Sequence, residues 1–457
     1  MSYCKQCFEK QRQIDRLKEE NQRLKGQLRY RQKKEKEGFF GSSTPSSQMP
    51  VKANTAEKEK KKRGAKPGHP GSGRKRFDVS GAEEVIELDS PQACPDCGGP
   101  LSNKGVQDRM VVESRPLKAR RLLYRLPKAY CSRCGRNVQP PAPGVLPKSL
   151  YGNQLIANAA VMHYLEGIPL GRVCSQIGLE PGPLVSIFHR LASLFAPVPK
   201  ALMEDYRQAP AKHADETGWR TNGKNGYVWL FATDEISIFE FQKTRSARVA
   251  KAVLGEKQLP GVLVVDRYAG YNQAPCAIQY CYAHLLRDVQ GLEKEFANSG
   301  EVKTFVSTLA PLLSLAMGLR NQRLSDQEFL QKATQLKAEI LEVVESDAQH
   351  LGIRRIQDLF RENQQRLYHW AQDRRIPAEN NLAERDLRPT VIARKVSFGS
   401  QSDAGARTRS ILMTVLHTLR KQDFDVAFHL KQVLDELACD IRQDPLPLLL
   451  PRGSPRH

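Results

Sequence analysis

The chain has 457 residues, with 71 Lys and Arg against 50 Asp and Glu, a formal charge of +21. This length exceeds what one hydrophobic core usually supports, so several domains are expected, and the positive balance favours a polyanionic partner such as nucleic acid. No signal peptide and no run of about 20 apolar residues is read in the sequence, which excludes a membrane partner and points to the cytoplasm.

The charge is uneven. The first 76 residues hold 22 basic and 8 acidic side chains, two thirds of the net excess. Residues 9–37 carry Ile14, Leu17, Asn21, Leu24 and Leu28 at heptad spacing. A short parallel coiled coil is expected over 1–37, with Asn21 favouring a dimer, although a solitary solvated helix fits the same pattern. Residues 38–80 turn to Gly, Ser, Pro and Lys, a composition that cannot bury enough apolar surface to order itself. This basic linker places Lys61, Lys62 and Arg63, then Arg74, Lys75 and Arg76, where they can follow a phosphate backbone without reading sequence.

Six of the ten cysteines form three Cys-x-x-Cys pairs, which in a reducing compartment argues for metal over disulfides. Cys4 and Cys7 have no second pair nearby. Cys94 and Cys97 followed by glycines, with Cys131 and Cys134 before Gly135, predict a closed four-thiolate Zn2+ site in a module spanning 81–147. A Pro-rich boundary at 140–147 follows.

Residues 148–204 predict three helices: an apolar pattern from Leu155 to Leu165, a second helix from Pro169 to Ile177, and a third after Pro181. Helix, glycine turn at Gly178, helix is the helix-turn-helix pattern, with Ser186, His189 and Arg190 as candidates for DNA reading. An ordinary helical bundle fits equally well.

Lys212–Arg220, Tyr227–Thr233 and Ile236–Gln242 read as an antiparallel meander with an Asn-Gly turn. A helix over Arg245–Leu254 and a wholly apolar strand over Gly261–Val265 follow. Three hairpin strands, a helix and a buried parallel strand are how a ribonuclease-H-like sheet begins. In that arrangement the first and fourth strands are neighbours, which brings Asp215 to Asp266.

Two adjacent carboxylates repel unless a cation lies between them, and Glu384 on a packed helix completes a hard oxygen site suited to Mg2+ or Mn2+. Two such ions would serve both oxygens of a phosphodiester displacement. Glu216 adjoins Asp215, but strand alternation sends it to the opposite face. Residues 284–375 carry helical patterns only and predict an all-helical insertion. Cys281 and His284 stand at Cys-x-x-His spacing, but without a further ligand pair nearby they read as a packed helix start. Arg385, Arg388, Arg394 and Lys395 around Glu384 suit a scissile phosphate and its flanks, or else an ion-pair network with Asp386. A helix bearing Ile411, Leu412, Val415, Leu416 and Leu419 should pack back on the sheet. The Pro-rich residues 444–457 read as a disordered tail.

Several of these segments together resemble the bacterial insertion-sequence-66 family of DDE transposases. The likeness rests on His213-Ala214-Asp215-Glu216-Thr217, Asp266-x-Tyr268-x-x-Tyr271, Cys281-Tyr282-Ala283-His284 and Asn380-Asn381-x-x-Glu384-Arg385-x-x-Arg388-Pro389. Arg394-Lys395 and Phe398-x-Ser400 extend it. Glu379 and Tyr282 are mild departures, since the family often has Asp and Trp there.

The resemblance implies a cut-and-join recombinase acting on double-stranded DNA at its element ends and target, with Asp215, Asp266 and Glu384 as the metal-binding triad. The expected whole is a multidomain α/β chain. A ribonuclease-H-like catalytic domain (205–283 and 376–443) carries the helical insertion and is preceded by the zinc-knuckle module and a helical DNA-binding region. It would work as a homodimer or higher oligomer, associate with the nucleoid when bound to DNA, and have accessory proteins encoded by the element as candidate partners. Alternatives are a metal-dependent nuclease that does not join, and an inactive DNA-binding accessory protein.

Overall fold

A computed structural model describes residues 140–451 except 423, residues 119–127, most positions between 129 and 138, and scattered positions between 13 and 42. Lys61, Lys62, Arg63, Arg74, Lys75, Arg76, Cys94, Cys97 and Cys134 therefore lie outside the described residues. Cys131 ends a strand, Ala129–Cys131, paired antiparallel with Arg136–Val138. Leu17, Asn21 and Leu24 of the proposed coiled coil are helical and exposed.

The chain divides at Pro116–Leu117, and the second unit is built on one five-stranded sheet. Its strands are β1 (Ala211–Thr221), β2 (Lys224–Ala232), β3 (Ser237–Gln242), β4 (Val262–Val265) and β5 (Ala277–Tyr280). Their order is β3-β2-β1-β4-β5, with β1–β3 an antiparallel meander and β4 and β5 parallel to β1. The first and fourth strands are neighbours, as the sequence pattern predicts.

Local chemistry accounts for these elements. Asn222 and Gly223 link β1 to β2 with φ of 52° and 70°, the two left-handed residues of the turn that matches strand twist. All four β4 residues are buried, as expected of a central strand covered on both faces.

The helices before the sheet are α1 (Asn153–Ala160, continued as a π turn to Leu165), α2 (Leu170–Ile177), α3 (Pro181–Leu194) and α4 (Val198–Gln208). Gly178 closes α2 at φ 72°. Helix α5 (Ala247–Leu254) is the crossover between β3 and β4. The insertion consists of α6 (Tyr282–Glu295), α7 (Gly300–Leu319), α8 (Asp326–Glu345) and α9 (Leu351–Glu362), then two short 3-10 turns. It has no strand among its described residues. Helices α10 (Asn381–Ser397), α11 (Asp403–Lys421), α12 (Val426–Cys439) and α13 (Pro445–Leu449) complete the unit.

Both sheet edges are covered. The Thr418 and Thr414 hydroxyls of α11 accept from the amides of Ser237 and Phe239 at 3.1 and 3.0 Å, groups that edge strand β3 would otherwise leave unpaired. At the other edge Gln279 of β5 accepts from the His369 amide at 2.9 Å.

Two expectations need correction. Helix α7 is 20 residues long and apolar enough to cross a membrane, contrary to the reading that no segment reaches that size. Its Val302, Phe305, Val306, Leu309, Leu313, Ala316 and Leu319 are buried among the insertion's other helices, whereas Leu315 is exposed and only 39% of the apolar stretch is covered. The tail is also not structureless from 444. Asp444 caps α13, and Pro445 and Leu449 are buried, with the Leu449 carbonyl taken by His429 at 2.8 Å.

Candidate active site at the strand ends

The parallel pairing of β1 and β4 ends at His213 opposite Val264. Two residues further on are Asp215, within β1, and Asp266, just past the end of β4, so the register that aligns the strands brings the two carboxylates to the same side. Each receives a backbone amide: Asp215 Oδ1 from Glu216 at 2.9 Å, and Asp266 Oδ1 from Tyr268 at 2.9 Å. Burial pushes the Asp215 carboxyl up to about 7, and the neighbouring charges of Glu216, Asp266 and Glu384 push the same way against the amide.

Glu216 faces another environment. Its Oε1 accepts from Arg245 Nε and Nη2 at 2.8 and 2.6 Å, and its Oε2 from the Tyr271 hydroxyl at 2.5 Å. The side chain is 1% exposed, and Arg245 lies 4.0 Å over the Tyr268 ring. Burial raises this carboxyl too, but the hydroxyl and the guanidinium pull it back.

Glu384 reaches the site because α10 is fixed along β1 at both ends. At the start, buried Asn380 accepts from His213 Nδ1 at 2.8 Å and donates to the Ala214 carbonyl at 2.8 Å. Burial lowers His213 to about 4, so its ring is neutral and donates through Nδ1. At the far end Arg394 donates to Thr217 Oγ1 and the Gly218 carbonyl at 3.1 and 2.6 Å, and Ser400 pairs with Thr221 as an isolated bridge. Gly399 makes that bridge possible: its φ is +134°, and a Cβ there would run into the Arg220 carbonyl. Seventeen helical residues at about 1.5 Å each span about 26 Å, the length of the strand from His213 to Thr221 at about 3.3 Å per residue.

The first turn of α10 meets the first turn of α6. The Asn380 amide donates to Cys281 Sγ at 3.0 Å, and the Cys281 amide donates to the Val265 carbonyl at 2.9 Å, next to Asp266. Glu384 Oε1 accepts from Arg287 at 2.9 Å and lies 3.8 Å from His284 Nδ1. Among the described residues, the group of three metal-ligating side chains with all donor atoms within 4.8 Å of one another is Cys281, His284 and Glu384. The three carboxylates are close enough to shift Asp215 but not so tightly gathered.

The other predicted residues divide. Arg385, Arg388 and Lys395 are exposed on α10, and Asp386 pairs with Lys421 at 2.6 Å and Ser237 at 2.8 Å, so these cations do not depend on it. Arg394 is turned onto β1. On α3, Ser186 is exposed, while His189 bonds Thr408 at 2.6 Å and Arg190 donates to the Pro147 carbonyl. Sequence reasoning missed Arg287, 97 residues from its partner Glu384. Cys281 and His284 do lie at a packed helix start, as read from the sequence, with Cys281 the buried N-cap of α6.

The statistical model described as "Transposase IS66 family" matches residues 148–408. The chain is similar to three uncharacterized proteins of Sinorhizobium fredii (strain NBRC 101917 / NGR234). Protein y4qI is 26% identical over 456 residues, covering 90% of this chain and 82% of that protein. Protein y4jD is 25% identical, covering 79% and 76%, and y4hP is 22% identical, covering 78% and 72%. With more than half its length matched in one continuous block that includes Asp215, Asp266 and Glu384, the chain belongs to the IS66 family of transposases.

Proposed function

We propose that this transposase cuts DNA at the ends of its mobile element and joins the freed ends to target DNA, with Asp215, Asp266 and Glu384 holding divalent cations at the scissile phosphate. The observation supporting this most strongly is the charge imbalance at Asp215. Its carboxylate is raised first by burial and then by three acidic neighbours, and its hydrogen-bond partner is an amide, not a cation. Arg245 and Arg287 partner Glu216 and Glu384, but no cation bonds Asp215 itself, and a carboxylate so placed fits a hard cation. Bound Mg2+ or Mn2+ supplies Lewis acidity to the attacking and leaving oxygens.

The residues themselves orient the reaction. Asp215 and Asp266 are aligned by strand register, and Asn380 sets the position of Glu384. The strand order β3-β2-β1-β4-β5 supports a ribonuclease-H-like catalytic domain. Arg385, Arg388 and Lys395 offer exposed charge to DNA phosphates. A cleft of about 650 Å³ beside Asp266 is lined by Arg267, Arg354 and Arg355 together with Asp358 and Glu362. The four-cysteine module holding Zn2+, dimerisation through residues 1–37 and a cytoplasmic, nucleoid-bound location complete the reading.

Strand transfer of an element end with Mg2+ tests it. Asp215→Asn should reduce joining by more than about 100-fold, since several kcal/mol of charge stabilisation are lost; undiminished joining overturns the assignment. A pre-cut end bearing a 3′-hydroxyl separates transposase from nuclease, because only the former joins it.

A further inference from the structure

We propose that Cys281, His284 and Glu384 form a second metal site at the mouth of the active site, taking a borderline transition-metal ion such as Zn2+ through sulfur, nitrogen and oxygen. It rests on the reading that Glu384 is a metal ligand, and makes that carboxylate common to a hard and a softer site.

The donors are already gathered. Their ligand atoms lie within 4.8 Å of one another, on two helix starts tied together by the Asn380 bond to Cys281 Sγ. His284 Nδ1 is buried and has no hydrogen-bond partner, a costly state for an imidazole nitrogen unless something else occupies the space before it. The sulfur sits at the N-cap of α6. Burial pushes the Cys281 thiol up to about 11, against the amides of Asn380, His284 and Ala283 that point their hydrogens at the sulfur, so it is the bound cation that would draw off the proton. Three protein donors leave a fourth position open to water or a phosphate oxygen, the arrangement of a reactive rather than a closed zinc site.

Arg287 occupies the cation's place in the metal-free arrangement. Its guanidinium donates to Glu384 at 2.9 Å and to His284 Nε2 at 3.2 Å, and it is 57% exposed, so it can turn into solvent. Because Nε2 accepts from Arg287, the imidazole proton is on Nδ1. Binding the ion sends the Cys281 thiol proton to solvent and transfers the imidazole proton to Nε2 as Arg287 leaves.

Co2+ added to the full chain without DNA, after dialysis against a chelator that strips an open three-ligand site but leaves the closed four-cysteine module its zinc, tests the proposal through the thiolate-to-cobalt absorption band. The parent should take up one equivalent with this band, and Cys281→Ser should lack it. Any signal from the four-cysteine module is common to both and cancels. His284→Gln should weaken uptake at least about tenfold, as loss of a ligand does. Arg287→Ala should tighten it by about three- to tenfold, since it removes a competing charge. No band in the parent, or the same band in Cys281→Ser, overturns the site. If Cys281→Ser does not fold, unchanged Co2+ affinity in His284→Gln overturns it alone. None of these outcomes bears on joining by Asp215→Asn, so failure here and failure of the recombinase reading are separately visible.

Discussion

The two faces of β1 treat neighbouring carboxylates differently. On one, Glu216 is closed in by Arg245 and Tyr271 and nearly removed from solvent. On the other, Asp215 has a backbone amide and the field of three acidic neighbours, and its proton affinity rises to about 7. Charge that has been matched inside the protein holds structure together; charge left unmatched is available for a ligand. Strand alternation alone separates the two roles.

The largest expected effect tests this contrast directly. While Asp215→Asn should abolish joining, Glu216→Gln should change it by less than about tenfold. Its amide still accepts from Tyr271, and Arg245, 44% exposed, recovers water. Equal losses in the two variants, compared at matched folded concentration, would erase the distinction between the faces.

Next is the clamp that brings Glu384 to the Asp215 face. Asn380→Ala leaves the His213 ring and the Ala214 carbonyl without partners in a dry site. It should cost about 2 kcal/mol in denaturant unfolding and also lower joining, because α10 loses its register. A variant as stable as the parent would show that α10 is held otherwise. At the other end of α10, Gly399→Ala should cost about 1–2 kcal/mol, from its backbone conformation and the approach to Arg220. Its effect on joining should be weaker, since Glu384 is four turns away.

Much of this contrast was legible in the sequence. The Asn-Gly turn, the buried Val262–Val265 run and the period-two pattern of β1 specify strand order, and alternation places Glu216 away from Asp215. These are local signals. Partner choice is not local: His189 bonds Thr408, Arg394 turns onto β1 and Arg287 takes Glu384, across separations of 219, 176 and 97 residues. A basic side chain looks the same in sequence whether it meets DNA or a carbonyl of its own fold. Helix α7 shows the same limit for apolar residues, since composition cannot say whether lipid or other helices cover them.

The smallest effect is on stability against pH. The folded protein binds a proton at Asp215 up to about pH 7, whereas an unfolded aspartate releases it near 3.8. Between these values the folded state holds more protons, so the contribution is fully present below about pH 4 and is lost as pH rises through 7. In metal-free protein Asp215→Asn should therefore stabilise at pH 8 and not at pH 4. Solvent near the group limits the gain to on the order of 1 kcal/mol, a rise in Tm of about 2–4 °C. Adding Mg2+ at pH 8 should raise the parent's Tm and leave the variant's nearly unchanged, because the ion offsets the repulsion that the substitution has already removed. A variant that gains nothing at pH 8, or gains equally at pH 4, would mean that the charge at Asp215 is matched after all, and the two faces of β1 would no longer differ.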